Sequence, residues 1–344
     1  MKRIKIPEDC SNLLINLFSS RKNRVIGHFG MTPSYDVLVG IDQGEIISPL
    51  LWTIYYDPLL VEINENPQFG YEMSHTWLPN VSLPESKTES VIVSSQAYMD
   101  DTSWISSSKE KLECTLSIAD EFYTLNNIQV NKLKSVLLTT CNTYDVTSNS
   151  RKVTLSFGQE QIVITPAAHN ESVRVLGVWI SLSSRKNFIM HQCEDIIRSA
   201  CNMMRFKRLT AEQLKYIWNT VICPRINFRA QLSVLSNSIC IRLTSIFRVL
   251  FKQKLHLPKS FPSAVLHSRE LLGINHLFDQ QLLAKSSDVY NQLNAKGLLK
   301  KIVLIQERKL QTRLILPLSP FHTWPETYPA MLLAKTCWLY LLLY

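Results

Sequence analysis

The pattern of apolar residues changes near residue 184, and this change restricts the chain to a fold with two dissimilar parts. Up to residue 183, short stretches rich in β-branched and aromatic residues alternate with a few helix-like runs. From residue 187 onward, apolar residues recur at the three- and four-residue spacing of amphipathic helices. The sequence therefore predicts an α+β part over residues 1–183 and a helical part over residues 184–344.

The first part combines predicted helices with antiparallel strands. We expect helices over 8–20, 50–63 and 108–126, a hairpin over 24–39, a loop or small exposed ribbon over 64–90, and strands over 128–140, 153–165 and 173–182. Ser48 is a predicted N-cap and Pro49 a predicted first helical residue. Residues 91–98 and 102–105 read as two strands joined by the acidic turn Met99-Asp100-Asp101.

The second part is predicted to be wholly helical. Helices are expected over 187–206, 238–255, 263–272, 277–293 and 296–313, and Thr210-Ala211-Glu212-Gln213 predicts a capping box that begins another helix. We divide this part into a basic helical domain over 184–262 and a helical region over 263–344. The apolar segments are too short to span a bilayer, and we expect no membrane contact.

Positive charge is concentrated in one block of an otherwise balanced chain. The net charge is +9, and residues 174–262 hold 15 Lys or Arg against 3 Asp or Glu. A basic block with so few interspersed acids favours a polyanion such as nucleic acid over a merely solvated surface. The candidates for contact with a nucleic-acid backbone are Arg198, Arg205, Lys207, Arg208, Arg225, Arg229, Arg248, Lys252 and Lys254.

The cysteine pattern argues against a disulfide-stabilised secreted protein and against a zinc protein. None of the eight forms a C-x-x-C pair, and no His cluster has metal-ligand spacing. We therefore expect free thiols in a reducing, intracellular compartment and no zinc site.

Two clusters contain the candidate catalytic and binding residues. The first is Gly40-x-x-Gln43-Gly44-x-x-x-Ser48-Pro49-x-Leu51-Trp52, and the second is Tyr98-Met99-Asp100-Asp101 at the predicted strand turn. A tight hairpin holds a carboxylate rigidly at the end of a sheet, and carboxylates are ligands that Mg²⁺ prefers. Neighbouring strand residues face opposite sides, so Asp100 is the predicted metal ligand and Asp101 an accessory. Both could instead be ordinary turn aspartates.

These clusters resemble motifs of reverse transcriptases. Residues 43–52, Gln-Gly-Glu-Ile-Ile-Ser-Pro-Leu-Leu-Trp, resemble the template-gripping motif, and Tyr98-Met99-Asp100-Asp101 resembles the catalytic Y-x-D-D turn. Residues 131–135 resemble the N-x-x-K-T motif with Ser135 in the Thr place, and Leu176-Gly177 resembles the element that leads into the thumb. The 52-residue gap from Ser48 to Asp100 is similar to that of non-LTR retrotransposons and group II introns.

The resemblance implies a fold and a reaction. It implies a partial polymerase palm, an antiparallel sheet with helices, followed by a basic helical thumb and a post-thumb region. The reaction would be two-metal RNA-directed DNA synthesis with Mg²⁺ or Mn²⁺, an RNA template, a DNA primer and a deoxynucleoside triphosphate. Gln43, Gly44, Ser48, Pro49 and Tyr98 would lie near the template or nucleotide, and Lys134 near the triphosphate. Lys134 could equally be a surface lysine on an exposed strand. Nuclear localisation follows from the resemblance alone.

The sequence departs from the family in one respect. The family carries a further aspartate in a pattern like hydrophobic-Asp-x-x-x-Ala-Phe-Asp, and Asp9, Asp36, Asp42 and Asp57 do not fit it. We therefore expect an N-terminally truncated fragment with weakened metal binding, an exposed sheet edge and little or no activity. A non-catalytic, maturase-like nucleic-acid-binding remnant is the alternative. An RNA-dependent RNA polymerase and an unrelated α+β protein are more remote readings.

Overall fold

A computed structural model describes residues 2–19, 21–37, 40–41, 44–77, 86–140, 152–182, 187–316 and 319 of the 344-residue chain. The chain divides into two compact units that interleave along the sequence. The first contains Met1–Tyr71, Val93–Val130 and Ser156–Glu160, and the second contains Glu72–Ile92, Asn131–Leu155 and Gln161–Tyr344. Mixed helices and small paired strands make this an α+β structure.

Ten α-helices lie within the described residues. They are α1 (Glu8–Phe18), α2 (Ser48–Glu65), α3 (Lys109–Leu125), α4 (Asn187–Arg205), α5 (Ala211–Tyr216), α6 (Cys223–Arg229), α7 (Asn237–Lys254), α8 (Ser263–His267), α9 (Leu277–Asn294) and α10 (Leu298–Arg313). A π-helical turn, Ile217–Ile222, joins α5 to α6. In the part of the chain that the structure describes, no helix is long and apolar enough to cross a membrane.

Twelve short strands accompany the helices in the described residues. They are β1 (Lys22–Asn23), β2 (Ile26–Gly27), β3 (Gly30–Met31), β4 (Tyr35–Asp36), β5 (Tyr71–Trp77), β6 (Lys87–Val93), β7 (Ser95–Tyr98), β8 (Asp101–Trp104), β9 (Val153–Phe157), β10 (Glu160–Ile164), β11 (Val173–Val175) and β12 (Val178–Ile180). They pair only two by two, as β1–β4, β2–β3, β5–β6, β7–β8, β9–β10 and β11–β12.

The long helices were predicted within a few residues of their observed ends. Thr210 and Gln213 form the expected capping box at α5, with Gln213 N–H donating to Thr210 Oγ1 at 3.3 Å. Of the two alternatives predicted for residues 64–90, a loop or a small exposed ribbon, the structure contains the ribbon, formed by β5 and β6. The N-cap of α2 is Ile47, so Ser48 is the first helical residue and Pro49 the second. The N-cap prediction was therefore wrong by one residue.

The predicted strand over 128–140 was wrong. Lys132–Lys134 form a 3₁₀ turn, and the Asn131 side chain caps it by accepting from the Lys134 N–H at 3.3 Å. An Asn side chain that satisfies a nearby backbone donor competes with a strand ladder. Segments 153–165 and 173–182, predicted as single strands, fold back as hairpins. Gly158 has φ +58°, and Leu176 and Gly177 have φ +49° and +83° at the two turns.

The first unit has a small aromatic core between α2 and α3. Tyr56 is buried beside Phe122 and stacks with Tyr123 at a centroid distance of 6.3 Å. Leu59 and Ala119 are buried in the same unit. Burying aromatic rings removes a large apolar area from water, so these few side chains supply much of the packing energy of the unit.

The second unit is built around a larger apolar cluster. Residues from α4, α5, the π-helical turn, α6 and α7 converge in it, together with Leu266, Ile274 and Leu277. Trp218 is fully buried and stacks on Phe247 at a centroid distance of 4.4 Å. The free cysteines Cys193, Cys201, Cys223 and Cys240 belong to this cluster, whereas Cys10 and Cys114 are exposed.

Candidate active site

The acidic turn between β7 and β8 carries the predicted catalytic residues. Tyr98 and Asp101 pair across the two strands, so Met99 and Asp100 form a two-residue turn. Met99 has φ +53°, a left-handed conformation that side chains rarely adopt. Tyr98, Asp100 and Asp101 are all exposed. Both carboxylates are therefore exposed to solvent, as they must be in order to contact a charged ligand.

Helix α2 holds this turn by a hydrogen bond to its backbone. Trp52 Nε1 donates to the Met99 carbonyl oxygen at 2.7 Å, and Trp52 is half-buried. Met99 is the strained residue next to Asp100, so this bond fixes the conformation that places the carboxylate. Sequence reasoning placed Trp52 in the first cluster but gave it no role.

A second contact reaches the same hairpin from α2 and α3. Tyr56 Oη is 2.9 Å from Thr102 Oγ1, and Tyr56 also forms a hydrogen bond with the hydroxyl of Tyr123. The pKa of Tyr123 is raised, mainly by burial, so its phenol stays protonated. Trp52 and Tyr56 are four residues apart on α2, and this i, i+4 spacing is the signal that could have found the pair.

The structure describes only part of the first cluster, which runs from Gly40 to Trp52. Gln43 and Asp42 lie outside the described residues, so the predicted role of Gln43 stays a prediction. Gly44 has φ +102°, and a Cβ placed on it would meet no atom of the described residues within 4 Å. The predicted role of Gly44 beside a template base pair stays a prediction. Ser48 and Pro49 follow as the first two residues of α2.

The donor set at the turn fits a magnesium or manganese ion only in part. Asp100 and Asp101 supply the carboxylate oxygens that these hard cations prefer. Among the described residues, no three His, Cys, Asp or Glu side chains come close enough to hold a metal ion. The turn thus offers two carboxylates, and no third ligand of these types completes a metal site among the described residues.

The upstream aspartates have other structural places. Asp9 lies in the first turn of α1. Asp36 forms an ion pair with Lys22 at 3.5 Å, and Asp57 forms one with Arg3. Asp42 lies outside the described residues. Three of the four candidates for a third carboxylate are thus on α1, β4 and α2, and two of them are already paired with cations.

Two predicted elements lie in the second unit. Lys134 is exposed and ends the 3₁₀ turn capped by Asn131, so it is not on a strand. Leu176 and Gly177 form the turn between β11 and β12, and Arg229 donates from Nη1 to the Gly177 carbonyl. A Cβ on Gly177 would lie 3.1 Å from the Phe228 ring. Glycine is required at this turn by its φ and by that contact.

Several of the predicted backbone-binding cations are engaged within the protein. Arg198 pairs with Glu194 at 2.6 Å. Arg248 donates to Ser263 Oγ at 3.1 Å, and Lys252 Nζ donates to the carbonyls of Lys259 and Phe261. Arg198 thus pairs within α4 and Arg248 connects α7 to α8, whereas Lys252 and Arg229 connect helices to a loop and a turn. A role in the protein's own structure does not exclude nucleic-acid contact, but it accounts for these cations without one.

Four of the predicted cations are exposed, and their side chains form no hydrogen bond or ion pair within the described residues: Arg205, Lys207, Arg208 and Arg225. Arg225 borders a groove of about 260 Å³ along α4, whose other walls include Gln192, Asp195, Ser199 and Met203. Of the predicted cations, those with free side chains thus lie at the end of α4, in the segment that follows it and on α6.

The comparisons with known proteins bear on the first half of the chain. A family model described as reverse transcriptase (RNA-dependent DNA polymerase) matches residues 1–180. The match covers more than half of the chain and includes both clusters. No curated protein sequence matches the chain.

Proposed function

The chain belongs to the reverse transcriptase (RNA-dependent DNA polymerase) family, and from this premise we propose that it is the polymerase part of a non-LTR retrotransposon or a related group II intron element. The proposal of this subtype rests on the 52-residue spacing between Ser48 and Asp100. Nuclear localisation would follow from the subtype alone. Family membership implies use of a nucleic-acid template and of deoxynucleoside triphosphates.

The observation that carries the proposal is the held turn at Asp100. A solvent-facing carboxylate sits next to a left-handed residue whose carbonyl accepts a hydrogen bond from Trp52 at 2.7 Å. A strained backbone conformation that is held by neighbouring residues is often found at functional sites, where a side chain must be positioned accurately. We therefore assign Asp100 as the principal metal ligand and Asp101 as an accessory.

The other residues of the proposed site bind and orient. Gly44, with open space above its backbone, would allow a template base pair to approach, and Gln43 and Tyr98 would border it. Lys134 would balance the charge of the triphosphate. A bound Mg²⁺ or Mn²⁺ pair would activate the primer hydroxyl and stabilise the departing pyrophosphate. The free cations Arg205, Lys207, Arg208 and Arg225 would contact backbone phosphates of the duplex.

For this polypeptide alone we propose weak nucleotide addition. The 344 residues contain no aspartate in the family's hydrophobic-Asp-x-x-x-Ala-Phe-Asp pattern, and Asp100 and Asp101 lack a bridging acid among the described residues. The same observation favours a second candidate function, a non-catalytic protein that binds nucleic acid through its basic segment. The two proposals differ in one property, incorporation that depends on Asp100.

Primer extension on a primed RNA template tests the proposal. The whole chain is compared with Asp100→Asn, which keeps the side-chain shape and removes the charge, and with Asp101→Asn, in Mg²⁺ and in Mn²⁺. We expect slow incorporation that Asp100→Asn abolishes and that Asp101→Asn reduces less. Incorporation that survives Asp100→Asn would refute the assigned site. Salt-sensitive duplex binding without incorporation would support the second candidate.

A further inference from the structure

Phe206 is an exposed aromatic residue in an ordered segment of the second unit. It is 87% exposed, although Met204 before it is buried and Leu209 after it packs against the apolar cluster. Because the chain is anchored on both sides, the exposure of this ring does not come from a frayed terminus. The segment Arg205–Arg208, which we call the tip, links α4 to α5.

A lysine side chain holds the backbone of the tip from below. Lys254 Nζ donates to the carbonyl oxygens of Arg205 and Lys207, each at 2.7 Å. These two carbonyls flank Phe206, and the Lys207 N–H donates to the Met204 carbonyl at 3.1 Å. The backbone on both sides of Phe206 is therefore held before any ligand arrives, which lowers the entropic cost of binding.

The charges around the ring are all positive. The Arg205 guanidinium lies 5.8 Å from the Phe206 ring centroid, and the side chains of Lys207 and Arg208 are exposed and unpaired among the described residues. No acidic residue occurs in the sequence between Asp195 and Glu212. An aromatic ring among unpaired cations fits a ligand that is both flat and anionic.

We propose that the tip binds an unpaired nucleotide of a single RNA or DNA strand, with the base stacked on Phe206. Every base has a π-face, so such stacking is tolerant of sequence, and flanking cations attract the adjoining phosphates. Arg205 would add a cation–π contact. The proposal rests on the nucleic-acid binding proposed for the basic segment and adds a base-stacking contact to it.

The surface next to the tip suits a strand that continues along α4. The groove beside α4 is lined at helical spacing by Gln192, Ser199 and Met203, and Phe206 directly follows Arg205, the last residue of α4. Arg225 supplies a cation on its α6 side, while Asp195 is a local acid there. A strand leaving the tip along this groove would thus meet polar groups, an exposed Met203 and one further guanidinium.

The test measures the affinity of the whole chain for a labelled 12-nucleotide single-stranded RNA by fluorescence anisotropy, beside the same strand with abasic sites. We expect Phe206→Ala to weaken binding of the intact strand about 5- to 100-fold. It should leave binding of the abasic strand unchanged. Phe206→Trp should retain full affinity. Tyr290→Ala, which removes a 69%-exposed ring from α9, is the matched control and should change neither affinity.

Each alternative outcome is decisive. Equal affinity of wild type and Phe206→Ala for the intact strand would overturn the stacking contact and leave the polymerase proposal untouched, because primer extension does not depend on it. Equal affinity of the wild type for intact and abasic strands would likewise overturn it, since the contact would then be ionic. A wild type that binds neither strand nor a primed template would refute both proposals.

Discussion

In the first unit, the turn that bears Asp100 is joined to its surroundings by separate polar contacts, whereas the second unit encloses one continuous apolar cluster. Trp52 and Tyr56 each reach the β7–β8 hairpin through a single side-chain hydrogen bond. Trp218, Phe247 and Phe251 are fully buried against one another and their neighbours. The proposed chemistry thus depends on a few individual bonds, and the basic tip is supported by a large packed core.

This difference should appear in how each unit responds to substitution. Removing core volume is costly because the surrounding residues collapse only partly into the cavity. Removing one half-buried hydrogen bond costs much less, but it can misplace the group that the bond positions. Four substitutions, in order of decreasing expected effect, test whether the two units differ in this way.

The largest expected effect is that of Trp218→Ala in the second unit. The substitution removes a ring stacked on Phe247 at 4.4 Å and a hydrogen bond from Nε1 to the Asn275 carbonyl at 2.9 Å. We expect the free energy of unfolding to fall by about 3–5 kcal/mol in urea denaturation. Tyr216→Ala, at a 65%-exposed position, is the control. A loss below that of the control would refute the assignment of this cluster as the stabilising core.

Lys285 should make the stability of the second unit depend on pH. Its amine is buried and donates to the carbonyls of Ala230 and Gln231; burial lowers the pKa of Lys285 to about 8, against the opposing effect of Asp288. Between pH 8 and its ordinary pKa of 10.5, the unfolded chain binds more protons than the folded chain. The contribution of this amine to stability should therefore rise over that interval, whereas the buried thiols of the apolar cluster, whose pKa values burial raises, lower stability as the pH rises through 9.

The contribution of Lys285, taken as the difference between the wild type and Lys285→Met, should amount to about 2 kcal/mol between pH 8 and pH 10. Urea denaturation at both pH values measures it for the wild type and for Lys285→Met, in which this contribution disappears. Lys259→Met, a substitution of an exposed lysine, should keep the pH dependence of the wild type. An identical pH dependence in the wild type and Lys285→Met would show that the amine is not responsible.

Gly177→Ala should destabilise the turn between β11 and β12 by about 1–2 kcal/mol. The new methyl group would meet the Phe228 ring at 3.1 Å at a residue with φ +83°. Gly297→Ala is a matched control, since Gly297 has φ +81° and nothing within 4 Å of a Cβ. The difference between the two melting temperatures isolates the contact with Phe228, and equal shifts would mean that this contact costs nothing.

The smallest effect on stability is expected for Trp52→Phe in the first unit. The variant loses the hydrogen bond to Met99, worth about 1 kcal/mol, and keeps most of the apolar surface. Hydrogen exchange of the hairpin amides at residues 97–102 should become about fivefold faster, while exchange in α7 stays unchanged. Trp104→Phe is the control on β8. Unchanged hairpin exchange would mean that Trp52 does not hold the turn.

The sequence predicted most of what is encoded locally. Helix α4 and the capping box at Thr210 follow from three- and four-residue spacing and from side chains that satisfy nearby backbone donors. The turn at Asp100 was also located from local pattern. The strand prediction around Asn131 was wrong for a local reason as well. The Asn131 side chain caps a turn, and the alternation of apolar residues does not reveal such a cap.

Contacts between distant residues could not be predicted. Lys254 belongs to the basic block in the sequence, but in the structure it holds the carbonyls of the tip 47 and 49 residues away. Trp52 and Met99 are likewise 47 residues apart. Charge counting treats every lysine and arginine alike, whereas only the fold separates those that connect elements from those that are free to bind a ligand.

The measurement that tests the account most directly is the salt dependence of RNA/DNA duplex binding by the whole chain. It compares the wild type, Asp100→Asn and a triple variant with Arg205→Gln, Lys207→Gln and Arg208→Gln. The account predicts that the slope of log affinity against log salt falls by about 2–3 in the triple variant, because each lost phosphate contact removes about one counterion, and that Asp100→Asn keeps the wild-type slope. An unchanged slope in the triple variant would contradict the placement of nucleic-acid binding on the free cations of the second unit.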